Sequence, residues 1–578
     1  MSNLVSRTRK YKNADMTLVD AFRKQLRATP TKACYVFEEK VWTLQNVEDY
    51  SNKVANIFVT AGYKKGDVVA LVMGNRPEYI CTWLGLSKLG VVTALINTNL
   101  SGKSLLHCIT VVGCKAIIFS EGHAKVVNDA CESSDMMLYQ LDGEVKTSNI
   151  NNMGAWMEEA QTSPPVVEEK LGYTDKLLYI YTSGTTGLPK AAILPNSRYI
   201  LATMGMHCLL NLKDDDVIYN PLPLYHTNGG ALGAGVALTC GITVVLRKKF
   251  SASAYIPDCI KYKCTVGQYI GEICRYILAV PPSLNDKSHK LHSMIGNGLR
   301  PAIWESFVRR FNIPNIIEVY GSTEGNVNIA NLDNTVGAVG SLPQFLPQSF
   351  LPVAVIKIDP DTEVPIRDDR GLCIRCGPGE TGMFVGIIKP NDPTRQFHGY
   401  VNYEESKKKI ITNVFSKGDA AFVSGDLMVI DELGYIFFKD RSGDTYRWKG
   451  ENVSTSEVEA LISSVTGFRD CIVYGVQVGD LEGKAGMAAI VDPSGDLDIA
   501  SLAKSLDKSL PKYAHPMFLR VMQSAELTGT FKLKKNNLQN DGFNPNSIKD
   551  PLYFRKGTTY VPLSTELYNQ ILSGEIRL

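Results

Sequence analysis

The sequence predicts an α/β protein with layers of helices over a largely parallel sheet, followed by a smaller C-terminal domain. Two observations support this fold class. Short apolar runs alternate with segments whose apolar residues recur at helical spacing, and the same alternation restarts after residue 441. The chain has 578 residues, of which 44% are hydrophobic and 21% charged, as in globular proteins. This length suffices for about three or four domain-sized units.

The first part of the chain alternates helices and buried strands. Thr17 is expected to cap a helix because Asp20 follows three positions later and apolar residues then recur on one face. We expect further helices at 47–59, 83–89 and 105–111, strands at 68–73, 91–96 and 116–119, and a polar loop at 149–170. The uncharged run at 229–246 contains several glycines, which favours a buried helix and then a strand over a membrane span.

The second part continues the alternation and then changes domain. Pro221 and Pro223 exclude a regular helix at 220–228, so a rigid loop should present His226. We expect helices at 198–210, 272–278, 454–465 and 500–508, and strands at 264–270, 314–320, 471–478 and 486–491. Gly443 lies in a polar stretch and is a candidate hinge. The predicted domains are residues 1–440 and 441–578.

Composition excludes several classes of protein. The net charge of +2 provides no field for nucleic acid, so no nucleic-acid partner is expected. Thirteen cysteines without a regular framework indicate free thiols in a reducing, intracellular compartment. Cys373 and Cys376 have redox or zinc spacing without a second pair, which favours coincidence within a strand. The first fifteen residues are polar and basic and predict no signal sequence.

Residues 181–190 have the composition of a polyphosphate cradle between two strands. Glycines let backbone N–H groups turn inward, hydroxyls add donors and a lysine adds positive charge. These residues are Thr182, Ser183, Gly184, Thr185, Thr186, Gly187 and Lys190. The spacing is not that of the Walker loop. An ordinary hairpin rich in glycine and threonine is the structural alternative.

Four more stretches carry chemistry. Gly296 and Asn297 open a turn where backbone could approach a ligand closely. The turn at 320–325 offers Tyr320 to stack on a flat base and Glu324 to hold a divalent ion, although a capped turn with a solvated glutamate has the same pattern. Asp426, expected in a tight turn, could grip the two hydroxyls of a ribose. Lys532 follows Gly529 as a mobile lysine, or as part of a basic surface loop.

These stretches occur in the order seen in the adenylate-forming superfamily, which the chain therefore resembles. A closer likeness is to its fatty acid transport protein and very-long-chain acyl-CoA synthetase branch, carried by residues 179–192, 222–227, 244–272, 296–300, 434–459, 528–535, 549–552 and 573–578. The resemblance implies a large N-terminal domain of layered α/β subdomains and a small mobile C-terminal α+β lid domain.

The resemblance also implies roles for individual residues. Those expected to bind ATP are residues 182–187, Lys190, Gly296, Asn297, Tyr320, Gly321, Thr323, Asp426 and Arg441. Glu324 would bind magnesium, and Lys532 would bridge the acid and ATP, with Glu324, Lys190 and His226 as further catalytic candidates. The acid should lie between residues 225–235, 269–274 and 296–300.

The expected function is an ATP- and magnesium-dependent ligase that joins a long- or very-long-chain fatty acid to coenzyme A, coupled to fatty acid uptake. Two alternatives stay open: a membrane fatty acid transporter with secondary ligase activity, and a CoA ligase for a bile or aromatic acid. We expect peripheral attachment to the surface of the endoplasmic reticulum, the peroxisome or the plasma membrane. The sequence leaves the oligomeric state open.

Overall fold

Two mostly parallel sheets form the body of the N-terminal part. The computed structural model describes residues 2–132, 134–182, 188–359, 362–442, 444–449, 451–479, 481, 483–525, 535–576 and 578. The N-terminal sheet has the strand order Ile150–Asn152, Met137–Gln140, Ala116–Phe119, Val68–Val72, Val92–Leu95, Lys176–Thr182, Lys190–Pro195. The central sheet has the order Asn328–Asn331, Asn315–Gly321, Ser293–Asn297, Val266–Ile270, Val217–Asn220, Thr243–Leu246, Ala33–Phe37, Lys40–Thr43.

Antiparallel pairs occur only at the edges of these sheets among the described strands. The last pair of the N-terminal sheet is an antiparallel hairpin, as are both outer pairs of the central sheet. Interior strands such as Val68–Val72 are buried along their whole length. Parallel sheets need helices on both faces, which explains why these strands are continuous apolar runs.

Helices pack around both sheets. They are Ser2–Asn13, Leu18–Ala28, Leu44–Thr60, Pro77–Ser87, Gly102–Val111, Ala124–Cys131, Met153–Glu159, Asn196–Leu210, Ala234–Cys240, Ala252–Lys261, Gly271–Ala279, Pro301–Phe311 and Tyr403–Lys407. One hydrophobic core contains Leu71 and Leu95 of the N-terminal sheet together with Val244 and Val266 of the central sheet. The two sheets therefore share a core rather than forming separate globules.

A small antiparallel sheet and a C-terminal sheet complete the fold. The small sheet has the order Ala338–Ser341, Tyr435–Arg441, Ala420–Ile430, Thr381–Ile387, Val353–Ile356, with Ile410–Thr412 beside the third strand. The C-terminal sheet has the order Cys471–Val476, Ala485–Val491, Phe518–Met522, Leu552–Lys556, Thr559–Pro562. The remaining elements are the hairpin Tyr446–Trp448 with Glu451–Val453 and the helices Thr455–Val465, Ile499–Ser509, Lys535–Asp541 and Thr565–Leu572.

Most of the predicted elements are present, including the cap at Thr17. Its side chain accepts from the backbone of Asp20, and the Asp20 carboxylate accepts from the backbone of Thr17. The glycine-rich run is a π-helix, Thr227–Gly233, then the helix Ala234–Cys240 and a strand, as expected apart from the π-turn. No helix within the described ranges is long and apolar enough to cross a membrane. The thirteen cysteines are free thiols.

Three local predictions are wrong. The 149–170 stretch contains the strand Ile150–Asn152 and a helix that begins after Asn152, whose side chain accepts from the N–H of Ala155 at 3.0 Å. Asp426 does not lie in a tight turn but inside the strand Ala420–Ile430. Gly425 has a φ of 83°, and this left-handed residue lets the strand kink without ending. Cys373 makes an isolated bridge rather than lying in a strand.

Arg275 connects the central sheet's helices to the C-terminal part of the chain. Its side chain is almost completely buried on the helix Gly271–Ala279 and pairs with Glu272 at 2.7 Å. The same guanidinium pairs with Asp470 and donates to the carbonyl of Phe468. Glu272 also pairs with Arg300 at 2.9 Å. Arg275 thus has one partner that belongs to its own helix and others that belong to the C-terminal part.

Candidate functional site

Thr182 and Lys190 mark the two ends of the predicted cradle. They are directly paired across the edge hairpin of the N-terminal sheet, while Ser183, Gly184, Thr185, Thr186 and Gly187 lie outside the described residues. The Lys190 ammonium pairs with Glu405 and lies 5.8 Å from the ring centre of Tyr400. Lys190 first, and then Lys408, lower the pKa of Glu405 to about 2. The Lys190 ammonium is thus already paired with a carboxylate.

The turn after the strand Asn315–Gly321 lies beside the cradle and holds Glu324, which is only 8% exposed. Arg198 donates to the carbonyl of Ser322 at 2.7 Å and interacts electrostatically with Glu324. Burial lowers the pKa of Arg198 to about 10, while Glu324 acts in the opposite direction. A desolvated guanidinium and a buried carboxylate therefore lie together at this turn.

Tyr400 joins the turn to the cradle. Burial, and then the charge of Glu324, raise the pKa of Tyr400, whose hydroxyl also interacts with Thr182. The segment that carries Tyr400 is hydrogen bonded to the strand Lys190–Pro195, since the Ile193 N–H donates to Gly399 at 3.0 Å. Sequence reasoning missed Tyr400, Arg198 and Glu405. Lys190 and Glu405 are 215 residues apart, so no local motif could have joined them.

Tyr320, Asp426 and Arg441 meet on the other side of the turn. Asp426 and Arg441 are direct partners on adjacent strands of the small sheet, and the Arg441 Nε lies 3.7 Å from Asp426 Oδ1. The Tyr320 hydroxyl donates to the Asp426 carboxylate, and burial and then Asp426 raise the pKa of Tyr320. The arrangement places an aromatic ring, a carboxylate and a guanidinium within reach of one ligand.

An apolar cavity lies between the strands of the central sheet and the helix Asn196–Leu210. Its lining residues are Met206, Leu222, Asn228, Leu232, Gln268, Tyr269, Ile295, Gly296 and Val319. Several of these come from the three segments expected to enclose the acid. Gly296 is required by packing, because a Cβ there would lie 2.2 Å from the carbonyl oxygen of Tyr269. Its wall is mostly hydrocarbon, but the space it encloses is far smaller than a long acyl chain, so these side chains would have to move apart to admit one.

The start of the π-helix connects the cavity to the turn. Thr227 lies 2.9 Å from Thr323, hydroxyl to hydroxyl, and Asn228 donates to the Asn297 side chain at 2.7 Å. His226 precedes these residues, half-buried, with its ring 4.6 Å from that of Tyr225. The predicted residues His226, Asn297 and Thr323 are therefore brought together. A π-turn at this junction is the kind of local irregularity that proteins often place at functional sites.

Glu318 is a buried carboxyl that sequence reasoning also missed. It accepts from the hydroxyl of Tyr269 at 2.5 Å, from the N–H of Leu299 at 3.4 Å and from the N–H of Gly298. Burial raises the pKa of Glu318 to about 8 against these three donors. Gly298 has a φ of 82°, which glycine adopts without strain. Glu318 thus holds the turn that follows Gly296, one of the residues that line the cavity.

Two of the expected features are the lysine that bridges acid and ATP and the ligand for magnesium. Lys532 lies outside the described residues. Over the described ranges, no group of three or more histidine, cysteine, aspartate or glutamate side chains could hold a metal ion. Magnesium keeps several waters and is usually shared with substrate phosphates, so a site for it can be built on one or two carboxylates.

Comparison with known proteins was made for the whole chain. The model of the AMP-binding enzyme family matches residues 22–385, and that of the AMP-binding enzyme C-terminal domain matches residues 457–532. Long-chain fatty acid transport protein 1 of Mus musculus is 46% identical over 99% of this chain and 90% of its own length. Long-chain fatty acid transport protein 6 of the same species is 39% identical over 97% and 91%.

Solved structures resemble the fold. An anthranilate CoA ligase in complex with anthranoyl-AMP has a TM-score of 0.76 at 20% identity, covering 91% of this chain and 97% of its own. ATP-bound MatB from Rhodopseudomonas palustris has a TM-score of 0.75 at 23% identity, covering 91% and 99%. At these identities the likeness establishes the fold, including both the large part and the C-terminal sheet.

Proposed function

Because the chain belongs to the AMP-binding enzyme family, and within it to the long-chain fatty acid transport proteins, we propose that it joins a long- or very-long-chain fatty acid to coenzyme A. The reaction would consume ATP and release AMP and pyrophosphate through an acyl-adenylate. Uptake of fatty acid would follow from ligation, since an acid converted to its CoA ester is trapped on the side where it forms. The relatives' name is consistent with that coupling.

The observation that carries the proposal is the junction at Thr227 and Asn228. Thr227 contacts Thr323, next to Glu324, while the neighbouring Asn228 lines the apolar cavity. An acid whose chain enters and widens the cavity would therefore place its carboxylate toward the turn and the cradle. That is the position where the carboxylate has to meet the α-phosphate of ATP.

The charges around this position suit adenylation. A carboxylate is a poor electrophile, and its attack on the α-phosphate brings two anions together while pyrophosphate leaves. Positive groups fixed in advance lower the barrier, because they need no reorganisation as charge develops. Lys190 and Arg198 would supply that charge, one from each side of the phosphates. The hydroxyl of Tyr400 interacts with Thr182 and Glu324.

The nucleotide's other end would lie against the small sheet. Asp426 would accept from the ribose hydroxyls, with Arg441 beside it, and Tyr320 would flank the adenine. Glu324 would bind magnesium together with the phosphates, and the ion would neutralise part of their charge. Gly296 and Asn297 would border the acyl-phosphate position at the mouth of the cavity.

The second half-reaction needs a different arrangement of the C-terminal domain. Lys532 would bridge the acid and ATP during adenylation, and the same lysine would obstruct entry of the coenzyme A thiol. We therefore propose that residues 441–578 form a lid that rotates between the two steps, relative to residues 1–440. The thiol then attacks the acyl carbon, the thioester forms and AMP leaves.

The experiment that tests the proposal is a substrate panel. Purified full-length protein is given ATP, magnesium, coenzyme A and acids from short to very long chain, together with an aromatic acid and a bile acid. We expect pyrophosphate release and thioester to be greatest for long- or very-long-chain fatty acids. Greater activity on the aromatic or the bile acid rejects the fatty acid assignment. Pyrophosphate without thioester rejects coenzyme A as the acceptor.

A further inference from the structure

The loop after the strand Ala338–Ser341 exposes large apolar side chains to solvent. Phe345 is 85% exposed and Phe350 66%, with Leu346 between them at 40%. Pro343 and Pro347 stiffen this loop, which we call the aromatic loop, residues 343–350. Two phenylalanines so exposed on one short loop form a local apolar patch, and such patches mark interaction sites.

An adjacent hairpin extends the patch. The N–H of Leu342 donates to the carbonyl of Gly434 at 2.9 Å, which holds the start of the aromatic loop against the turn of residues 431–434. Leu433, in this turn, is 74% exposed. Apolar side chains from two neighbouring turns therefore project at one end of the small sheet.

Positive charge lies next to this patch. The helix Ser2–Asn13 contains four basic residues and no acidic one, with Arg9 and Lys10 exposed. Its Lys12 donates to the carbonyl of Asn391 at 2.9 Å, and Arg395 donates to the carbonyl of Phe350 at 2.7 Å. Residues 391 and 395 are thus bonded to the basic helix on one side and to the aromatic loop on the other.

Few acids offset this charge in the connecting segment. Asp392 is already paired with Arg395 at 3.7 Å. Lys389, in the same segment, adds a positive charge. Asp431 and Glu432 add two negative charges in the turn that carries Leu433. The surface therefore combines protruding aromatic side chains with positive charge on the side of the helix Ser2–Asn13.

We propose that the aromatic loop and the helix Ser2–Asn13 form a docking surface for an anionic phospholipid bilayer. This inference rests on the proposed function, because long-chain acids partition into membranes and a ligase for them gains substrate there. Aromatic side chains insert at the interface, and lysines and arginines near it are attracted to anionic headgroups. Neither contribution alone gives stable attachment, whereas the two together do.

The test is sedimentation of the purified full-length protein with vesicles of phosphatidylcholine, with or without phosphatidylserine. We expect binding to vesicles that contain phosphatidylserine and weaker binding to those without it. The double variant Phe345→Ser, Phe350→Ser should bind about tenfold more weakly to both. Arg9→Gln with Lys10→Gln should lose the preference for phosphatidylserine and the sensitivity to salt.

Leu284→Ser is the matched control, because Leu284 is fully exposed on a different loop and its loss should leave vesicle binding unchanged. Wild-type protein that fails to bind either vesicle, or serine variants that bind like wild type, would overturn the docking surface. Ligation of detergent-dispersed acid is measured in parallel. Normal vesicle binding without ligation rejects the proposed function alone, and ligation with unaltered vesicle binding by the serine variants rejects the docking surface alone.

Discussion

The ammonium of Lys190 pairs with the carboxylate of Glu405, which lies 215 residues further along the chain, at the edge of the cradle. Glu405 is held in turn by Lys408 at 2.7 Å and by its place on the helix Tyr403–Lys407. This pair partly neutralises the charge of Lys190. A phosphate group that binds Lys190 has to compete with Glu405.

Removing that competitor should strengthen nucleotide binding. In Glu405→Gln, Lys190 loses a charged partner but keeps its position beside Tyr400, so we expect KM for ATP to fall about threefold with kcat little changed. Steady-state kinetics of acyl-CoA formation measure both constants. Glu404→Gln is the matched control, since it removes an exposed charge one residue away. A higher KM for ATP in the Glu405 variant would contradict competition.

Arg198 should be needed for the first half-reaction. Its buried guanidinium is fixed by the Ser322 carbonyl and faces Glu324, so Arg198→Met removes a preorganised charge from a desolvated site. We expect kcat/KM for adenylate formation to fall about 10²-fold or more. Exchange of pyrophosphate into ATP reports this step. Arg198→Lys should restore part of the loss, and equal activity of the methionine variant and wild type excludes this role.

Lys532 should separate the two half-reactions. Lys532→Ala is expected to lose nearly all adenylate formation, because the bridging charge is removed, while supplied acyl-adenylate is still converted to thioester. Single-turnover assays of each step provide the measurement. Lys534→Ala serves as a neighbouring control in the same basic stretch. Parallel loss of both steps in the Lys532 variant would sink the assignment.

The cavity wall should set chain length. Leu232 lies in the π-helix and lines the apolar cavity. Leu232→Phe adds volume there, and we expect the preferred acid to become shorter, with about tenfold loss on the longest acids and little loss on short ones. The acid panel described above measures the shift. An unchanged profile across the panel would mean that the chain runs elsewhere.

Glu318 should make stability depend on pH. Its pKa rises from 4.5 to about 8 on folding, so the folded chain binds more protons than the unfolded chain within this window. Stability therefore falls as pH rises from about 4.5 to 8, and Glu318→Gln, which is always neutral, should lose that slope. Above pH 8, the free energy of unfolding that the wild-type protein has lost through Glu318 reaches at most about 5 kcal/mol.

Thermal denaturation followed by circular dichroism at acidic, neutral and alkaline pH tests this expectation. The melting temperature of the glutamine variant relative to wild type should increase with pH. Glu305→Gln, at an exposed position on the helix Pro301–Phe311, is the control. A constant difference between variant and wild type at all three pH values would show that Glu318 does not titrate in this window.

Local patterns in the sequence were enough to predict many of the buried parallel strands, although not the small antiparallel sheet. Parallel strands are buried on both faces, so stretches such as 68–73 appear in the sequence as continuous apolar runs. The resemblance assigned Tyr320, Asp426 and Arg441 to one nucleotide, and the three are neighbours in the structure, although the strand containing Asp426 was missed. A glycine such as Gly425 fits a turn as readily as a kinked strand. Only the pairing with neighbouring strands distinguishes the two.

The charged partners in the site could not be predicted, because they are contacts between distant segments. Glu405 lies in a polar helix that resembles many solvated ones, and Glu318 lies in an apolar strand as a single carboxyl without a motif. Neither has a local signal, since their partners Lys190 and Gly298 belong to other elements. Burial and pKa follow from that packing and not from the residue type.

Arg275 lowers the energetic cost of the proposed lid movement. Separating a buried ion pair is normally costly because each charge left behind loses its partner. Here the arginine that stays with the large domain keeps Glu272 at 2.7 Å when Asp470 departs, and Asp470 moves into water, which solvates it. The joint can therefore open without leaving a buried charge unpaired.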